Sequence, residues 1–168
     1  MSVVAANVSP MAYAQSKQVT DQVTIVMYGT PIPKGRPRFT RTGRTYTPAK
    51  TKAAEINMQA AWLLTAGNKR KPHAGPVSIE YRAYFVPPAS WPKWKREAAL
   101  DGHLLHTTKP DWDNLAKTID GLNGVAWLDD SQVFHAIATK HYAVIARTEI
   151  SITFYPELDA RKEPKGTK

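Results

Sequence analysis

The stretch VSIEYRAYF, residues 77–85, gives the clearest structural signal in the chain. Its odd-numbered residues are apolar or small, while three of the four even-numbered residues between them are polar. This period of two is typical of a strand with one face in a core. Pro87 and Pro88 follow almost at once and prevent the strand from continuing. We therefore predict a half-buried β-strand that ends at Phe85.

Three more strands are predicted around this one. Residues 23–28 alternate in the same way, and two late strands are predicted at residues 132–142 and 147–155. We expect the two late strands to pair as a hairpin, although residues 143–146 between them contain no Gly or Asn turn signal.

Helices are predicted between these strands. Thr47 and Pro48 favour a helix start, with Thr as N-cap and Pro at the first helical position. One apolar stripe then recurs at helical spacing until Gly67: Ala53, Ile56, Ala60, Leu63 and Leu64. A second main helix is predicted from about Asp113 to Leu122, and a short basic helix at residues 92–100.

The order of these elements predicts an α/β (α+β) protein with one domain. We expect a mixed β-sheet of about four to five strands with two main helices packed against it. A length of 168 residues suits one core. Residues 1–20 are predicted to be a flexible N-terminal extension, residues 21–155 the folded domain, and residues 156–168 a mobile basic tail.

Composition narrows the classes of function. Lys and Arg number 23 against 14 Asp and Glu, for a net charge of +9, which favours nucleic acid or an anionic surface as partner. An ordinary soluble protein can also be this basic. The absence of cysteine excludes disulfides, Cys-ligated zinc and thiol nucleophiles. No apolar run approaches the ~20 residues of a membrane span, and the first 18 residues make a poor signal peptide.

Acidic residues are concentrated in one segment of this basic chain. The sequence KPDWDNLAK (residues 109–117) precedes LDD (residues 128–130), and five of the fourteen acidic residues lie from Asp111 to Asp130. At helical spacing, one face carries an acid–lysine–acid set and the opposite face carries apolar side chains. The first face consists of Asp113, Lys117 and Asp120, and the second of Leu115, Ile119 and Leu122.

Carboxylates this close together repel each other unless cations lie between them. Hard oxygen ligands suit Mg²⁺, with Mn²⁺ as an alternative, and two such ions can hydrolyse a phosphodiester. Lys117 is placed to offset charge on the phosphate or to orient water. We expect either Asp129 or Asp130 to join the metal site, and Asp120 to be a helix-surface or supporting residue. Taken singly, each residue also fits a cap, a surface pair or a solvated turn.

A basic loop precedes the first predicted helix. Five cations fall within eleven residues without an acid among them: Lys34, Arg36, Arg38, Arg41 and Arg44. Such a loop suits a nucleic-acid backbone, although a solvated run of charges is the common alternative. The basic and aromatic residues 91–96 are interpreted chiefly as packing.

These motifs resemble the RusA family of Holliday junction resolvases, which occur in bacteria and their prophages. The similar pattern is Lys109-Pro-Asp111-x-Asp113-Asn-Leu-x-Lys117, then Asp120-Gly-Leu-Asn-Gly-Val125 and Leu128-Asp-Asp-x-Gln-Val133. The early segment Gly29-x-Pro31-x-Pro33-Lys-Gly-Arg-Pro-Arg38 is also similar. The resemblance spans roughly residues 22–155.

The resemblance implies a homodimeric, Mg²⁺-dependent endodeoxyribonuclease that nicks four-way DNA in a paired, symmetric way. By position, the metal-binding acids are Asp111, Asp113 and Asp130, with Asp129 as a neighbour easily confused with Asp130. Lys117 is then the catalytic lysine, and Lys109 joins the basic loop in DNA binding. No membrane or small-molecule cofactor is expected, and the expected location is the cytoplasm of a bacterium or a phage-infected host.

Two other functions remain open from the sequence. One is a DNA-binding or architectural protein that has lost its catalytic activity. The other is a nuclease for flaps or RNA. The resolvase hypothesis also requires two active sites. A four-way junction is approximately twofold symmetric, so matched cuts need two protomers related by a twofold axis.

Overall fold

A computed structural model of the protein describes residues 19, 21–35, 38–39, 43, 45–46 and 48–156. These described residues include six strands: β1 (Asp21–Tyr28), β2 (Arg38–Phe39), β3 (Thr45–Tyr46), β4 (Val77–Phe85), β5 (Val133–Tyr142) and β6 (Arg147–Phe154). The α-helices are α1 (Ala49–Ala66), α2 (Lys93–Leu100) and α3 (Trp112–Ala116). A first 3₁₀ helix (Lys117–Leu122) follows α3 directly, and a second (Asp130–Gln132) directly precedes β5. The predicted single-domain mixed sheet with helices is confirmed.

The four long strands form one sheet in the order β1-β6-β4-β5. β4 pairs in parallel with β5 and antiparallel with β6, and β6 pairs antiparallel with β1. The predicted hairpin between the two late strands is therefore wrong, because β4 lies between them. Residues 143–146 cross the end of β4, where the amide of Ala143 donates to the carbonyl of Phe85 at 2.9 Å. A crossing over a strand end needs no tight turn, which agrees with the missing Gly or Asn.

One face of this sheet forms the core. On β4 every odd-numbered residue is buried, as the alternation predicts, and the even-numbered residues are half-buried on the other face. Val23 and Ile25 on β1 and alternate residues of β6 extend the buried face. Trp62 and Trp127 are each 1% exposed and close the core from the helical side.

Helix α1 turns a different face to the core from the one its apolar stripe suggests. Its buried residues are Thr51, Met58 and Trp62. The predicted stripe faces solvent, with Ile56 53% and Leu64 88% exposed. Trp62 decides the rotation, because its ring packs edge-on against Phe154 with the centroids 6.0 Å apart and buries more apolar surface than a leucine.

The first 3₁₀ helix is held against α1 at close range. Gln59 donates through Nε2 to the carbonyl of Gly121 at 2.8 Å. A Cβ atom at Gly121 would lie 3.1 Å from Cβ of Glu55, so a side chain there would force the two helices apart. This contact fixes the segment that begins at Lys117. Within the described ranges, no helix is both long and apolar enough to cross a membrane.

Candidate active site

The acidic motif lies at the start of α3. Asp111 is the N-cap residue, in an extended conformation, and Asp113 lies in the first turn. The α-helix ends at Ala116 and continues as the first 3₁₀ helix, so the predicted helix from Asp113 to Leu122 is α-helical only at its start. The predicted apolar face is present nonetheless, with Leu115 and Leu122 at 1% and 0% exposure.

Asp113 and Lys117 form the ion pair that their spacing predicts. Lys117 donates through Nζ to Oδ2 of Asp113 at 3.0 Å, and both side chains are about half exposed. The hydrogen bond from Lys117 lowers the pKa of Asp113 below its usual value. Asp113 is therefore ionised at neutral pH, with a cationic group directly beside it.

The structure distinguishes Asp129 from Asp130. Asp129 caps the second 3₁₀ helix: its Oδ1 accepts from the amide of Ser131 at 2.9 Å, and its own amide donates to Oε1 of Gln132 at 2.8 Å. Hydrogen bonds from Ser131, first from its hydroxyl and then from its amide, lower the pKa of Asp129. The exposed carboxylate of Asp130 has no such bond to another described residue. Asp129 thus has a structural role that accounts for its side chain.

The carboxylates that the structure describes do not form a complete metal site by themselves. Among the residues that the structure describes, no three Asp, Glu, His or Cys side chains are close enough to hold one metal ion. Asp130 is therefore not assembled with Asp111 and Asp113 into one site here. The two exposed carboxylates at the start of α3 still suit Mg²⁺, which is commonly held by one or two carboxylates while water and substrate phosphate complete its shell.

Lys34 joins the basic loop to the acidic motif. Its amide donates to the carbonyl of Asn114 at 2.7 Å, and its Nζ donates to Oδ2 of Asp120 at 2.8 Å. Glu55 lies 3.4 Å from the same ammonium, and the bond to Asp120 contributes most to the raised pKa of Lys34. Asp120, predicted as a supporting residue, thus forms an ion pair with Lys34. The charge of Lys34 is balanced by Asp120 and Glu55 within the protein.

A cleft of about 620 Å³ lies between the basic loop and the acidic motif. The loop side contributes Thr30, Pro31, Pro33 and Lys34, and the other side contributes Lys109, Pro110, Asp111 and Asn114. Lys109 is exposed at its edge. Arg38 belongs to β2, whereas Arg36, Arg41 and Arg44 lie outside the described residues. One wall of the cleft therefore carries Asp111, whose carboxylate is a candidate metal ligand, and the exposed cation Lys109.

Lys140 is a site residue that sequence reasoning missed. Its Nζ donates to the carbonyl oxygens of Thr108 at 2.7 Å and Pro110 at 2.9 Å, directly before Asp111. The feature that marks Lys140 is its position in the sheet. It is paired with the buried Ala83 of β4 and therefore lies on the core-facing side of β5. A lysine at an inward position usually has a specific partner.

The residues around α2 pack largely as interpreted. The rings of Trp91 and Tyr142 meet edge-on at 5.6 Å, and Nζ of Lys95 lies 4.1 Å from the Trp91 ring centroid. Trp94 is the exception, at 68% exposure.

Comparison with known proteins shows the family of the chain. The family model described as "Endodeoxyribonuclease RusA" matches residues 28–153, well over half of the chain. The chain belongs to the RusA family. It is also 34% identical over 136 residues to the uncharacterized protein YqaN of Bacillus subtilis (strain 168), a match that covers 79% of this chain and 96% of that protein. The RusA family match includes every residue of the cleft and of the acidic motif.

Proposed function

We propose that this protein is a divalent-metal-dependent endodeoxyribonuclease that resolves four-way DNA junctions by paired, symmetric nicks, as a homodimer. The observation that carries the proposal is the exposed group of Asp111, Asp113 and Lys117 beside a cleft, in a chain of the RusA family. The proposal includes a role in DNA recombination and repair, in a bacterial cytoplasm or a phage-infected cell.

Each side chain has a proposed role. Asp111 and Asp113 would hold Mg²⁺, and Asp130 is the proposed third acid. The bound metal would supply an activated water and stabilise the leaving oxygen. Lys117 orients the Asp113 carboxylate through their 3.0 Å contact and offsets negative charge that builds up on the phosphate.

The DNA backbone is proposed to follow the basic loop into the cleft. Arg36, Arg38, Arg41, Arg44 and Lys109 are the cations assigned to phosphate contacts. Lys34 was predicted to be among them, but its ion pair with Asp120 favours a different role. We propose that it holds the loop against α3.

The decisive experiment is a cleavage assay on labelled substrates. Four-way junction, flap, duplex and RNA are incubated with the protein in Mg²⁺ or in EDTA. Symmetric nicks in the junction alone, only in Mg²⁺, support the proposal. Preferred cutting of flaps or RNA would replace it with a different nuclease, and tight junction binding without scission in Mg²⁺ or Mn²⁺ would indicate a non-catalytic binding protein.

The adjacent acids Asp129 and Asp130 should respond differently to the same substitution. Asp129→Asn keeps an oxygen that can accept from Ser131, and Asn is as good a helix cap as Asp. We expect it to cut junctions at close to the wild-type rate, whereas Asp130→Asn should be at least about tenfold slower because a metal-facing charge is lost. Rates measured under single-turnover conditions decide this, and the reverse order would exchange the two assignments.

The basic loop should control the salt dependence of junction binding. Replacing Arg36 and Arg38 together by alanine removes two proposed phosphate contacts, so the slope of log K against log salt should fall by roughly 2. Binding titrations at several salt concentrations measure this slope. Lys93→Ala with Lys95→Ala, which removes two cations from α2, is the matched control. An unchanged slope in the loop variant would remove the loop from the DNA interface.

A further inference from the structure

Trp112 is an exposed tryptophan at the start of α3. Its side chain is 60% exposed, whereas Trp62 and Trp127 are each 1% exposed in the core. The indole makes no ring contact, cation–π contact or hydrogen bond with another residue that the structure describes. A single exposed aromatic ring is common on protein surfaces and indicates little by itself. The position of this ring suggests a function, because Trp112 lies between the two proposed metal ligands Asp111 and Asp113.

The backbone is held in place on both sides of Trp112. Two residues earlier, the carbonyl of Pro110 accepts from Nζ of Lys140 at 2.9 Å. Two residues later, the carbonyl of Asn114 accepts from the amide of Lys34 at 2.7 Å. A large, rigid side chain on a fixed backbone loses little conformational entropy when it binds a ligand. The ring is therefore suited to a direct contact with the substrate.

The charges around Trp112 limit what can bind its ring. Residues 110–116 contain two carboxylates and no cation, and the Asp111 side chain is exposed. This stretch therefore offers a DNA phosphate no cationic side chain. A protein partner that covered the ring would also bury the carboxylates, and charged groups are depleted from the centres of protein interfaces because their desolvation is costly. The face of a nucleotide base is neutral and needs only an aromatic surface, so it is compatible with the flanking charges.

The position of Trp112 also places it close to the phosphate that would be cut. Successive Cα atoms are about 3.8 Å apart, so the ring begins one residue from each proposed metal ligand. The phosphate would lie at the metal, beside the cleft that Asp111 lines. The bases on either side of that phosphate are each joined to it through one sugar. A base next to the cut is therefore the part of the substrate nearest to the ring.

We propose that the indole of Trp112 stacks on a base at the branch point of the DNA, next to the phosphate that is cut. The inference rests on the proposed function, and it goes further by assigning a residue that recognises the branch. Inside a continuous duplex, neighbouring bases cover both faces of each base, so a ring can reach a face only if the stack is opened. Where strands exchange between arms the stack is already interrupted, and opening it costs least. Trp112 thus favours branched over continuous DNA.

The first test compares junction and duplex binding of Trp112→Leu in Ca²⁺. Leucine keeps an apolar side chain but removes the aromatic face. Junction affinity should fall by about 5- to 150-fold, the loss of one stacked base. Duplex affinity and the salt slope of junction binding should not change, because no charge is removed. Trp112→Phe should retain most of the junction affinity. Trp94→Leu is the matched control, because Trp94 is 68% exposed on α2 and does not line the cleft.

A second test identifies the nucleotide that the ring contacts. Iodouracil is placed either at the branch point or one helical turn into an arm, and the complex in Ca²⁺ is irradiated, which couples this base chiefly to an aromatic ring stacked on it. Mass spectrometry should find a cross-link to Trp112 from the branch position and none from the arm. The cross-link should be lost in Trp112→Leu and kept in Trp112→Phe. A cross-link to Trp94 in place of Trp112 would assign stacking to α2 and overturn the proposal.

The remaining outcomes separate this role from the nuclease. Equal losses of junction and duplex affinity in Trp112→Leu overturn branch recognition, as does a wild type that binds duplex as tightly as the junction. Weaker binding that tracks a lower melting temperature, without a cross-link in the wild type, would make the ring a packing residue. If the wild type cuts no DNA in Mg²⁺, the nuclease proposal fails, while binding and cross-linking in Ca²⁺ still decide the role of Trp112. If it cuts, Trp112→Leu should spread the nicks over neighbouring steps.

Discussion

Replacement of Asp113 by asparagine should slow junction cleavage by more than about 100-fold and leave junction binding nearly unchanged. Asparagine keeps the size of the side chain but removes the charge that would attract Mg²⁺ and that Lys117 contacts at 3.0 Å. Loss of a group that only supports a metal ligand already costs about 10- to 100-fold, so loss of a direct ligand should cost more. Binding should persist because its free energy comes mainly from cations on phosphates.

The measurement is a single-turnover cleavage rate at saturating protein, with the dissociation constant determined in Ca²⁺ or EDTA. Asp101→Asn is the matched control, since Asp101 is an exposed aspartate at the end of α2, outside the cleft. It should cut at the wild-type rate. An Asp113→Asn protein that also cuts at that rate in Mg²⁺ would remove Asp113 from the metal site and leave the chemistry without its best-placed acid.

The strands could be predicted because their signal is local. Alternation at residues 77–85 and 147–155 depends only on neighbouring side chains, and β4 and β6 show the matching burial. The acidic motif is local as well, so Asp111, Asp113 and Lys117 could be predicted as candidates from their spacing. The i,i+4 contact between Asp113 and Lys117 follows directly from helical geometry.

Strand order could not be predicted in the same way. Adjacent strands in a sequence most often pair, yet here β6 lies between β1 and β4, where both of its edges are hydrogen-bonded. β5 instead occupies an outer position beside β4. The strong alternation of β6 fits a central strand, whereas β5 has an irregular burial pattern that fits an edge. The missing turn signal at residues 143–146 was the only local evidence in the sequence that β5 and β6 are not neighbours in the sheet.

The rotation of α1 depended on a contact distant in sequence. Apolar spacing alone gives two faces, one through Ile56 and Leu63 and the other through Met58 and Trp62. The choice is made by Phe154, nearly a hundred residues later, against which Trp62 packs. Counting apolar positions cannot show which face is buried in a helix that has two apolar faces.

The polar contacts around the site could not be predicted from residue spacing either, because they join residues that are far apart in the sequence. Lys34 meets Asp120 across 86 residues, and Lys140 meets Thr108 across 32. Both lysines appear in the sequence as ordinary positive charges. Only the fold shows that Lys34 and Lys140 hold the segments on either side of Asp111.

Lys140→Met should reduce cleavage by about 10- to 100-fold and raise the Mg²⁺ concentration needed for half-maximal rate. Methionine keeps the length and apolar stem of the side chain but cannot donate to the carbonyl oxygens of Thr108 and Pro110, at 2.7 and 2.9 Å. The segment directly before Asp111 then loses its anchor to β5. Misplacement of a ligand by a lost supporting contact is expected to weaken metal binding by this factor.

The Mg²⁺ dependence separates positioning from a general loss of stability. A merely destabilised variant would lose rate in proportion to its unfolded fraction, without a shift in the Mg²⁺ midpoint, so thermal melts and Mg²⁺ titrations are measured on the same samples. Lys93→Met, on exposed α2, is the matched control, because its side chain is 84% exposed and pairs only loosely with Glu97 at 3.7 Å. If Lys140→Met and Lys93→Met share the wild-type midpoint, the contact from β5 does not position Asp111. Saturating Mg²⁺ should restore much of the rate in Lys140→Met but none in Asp113→Asn, because only the first variant retains both carboxylates.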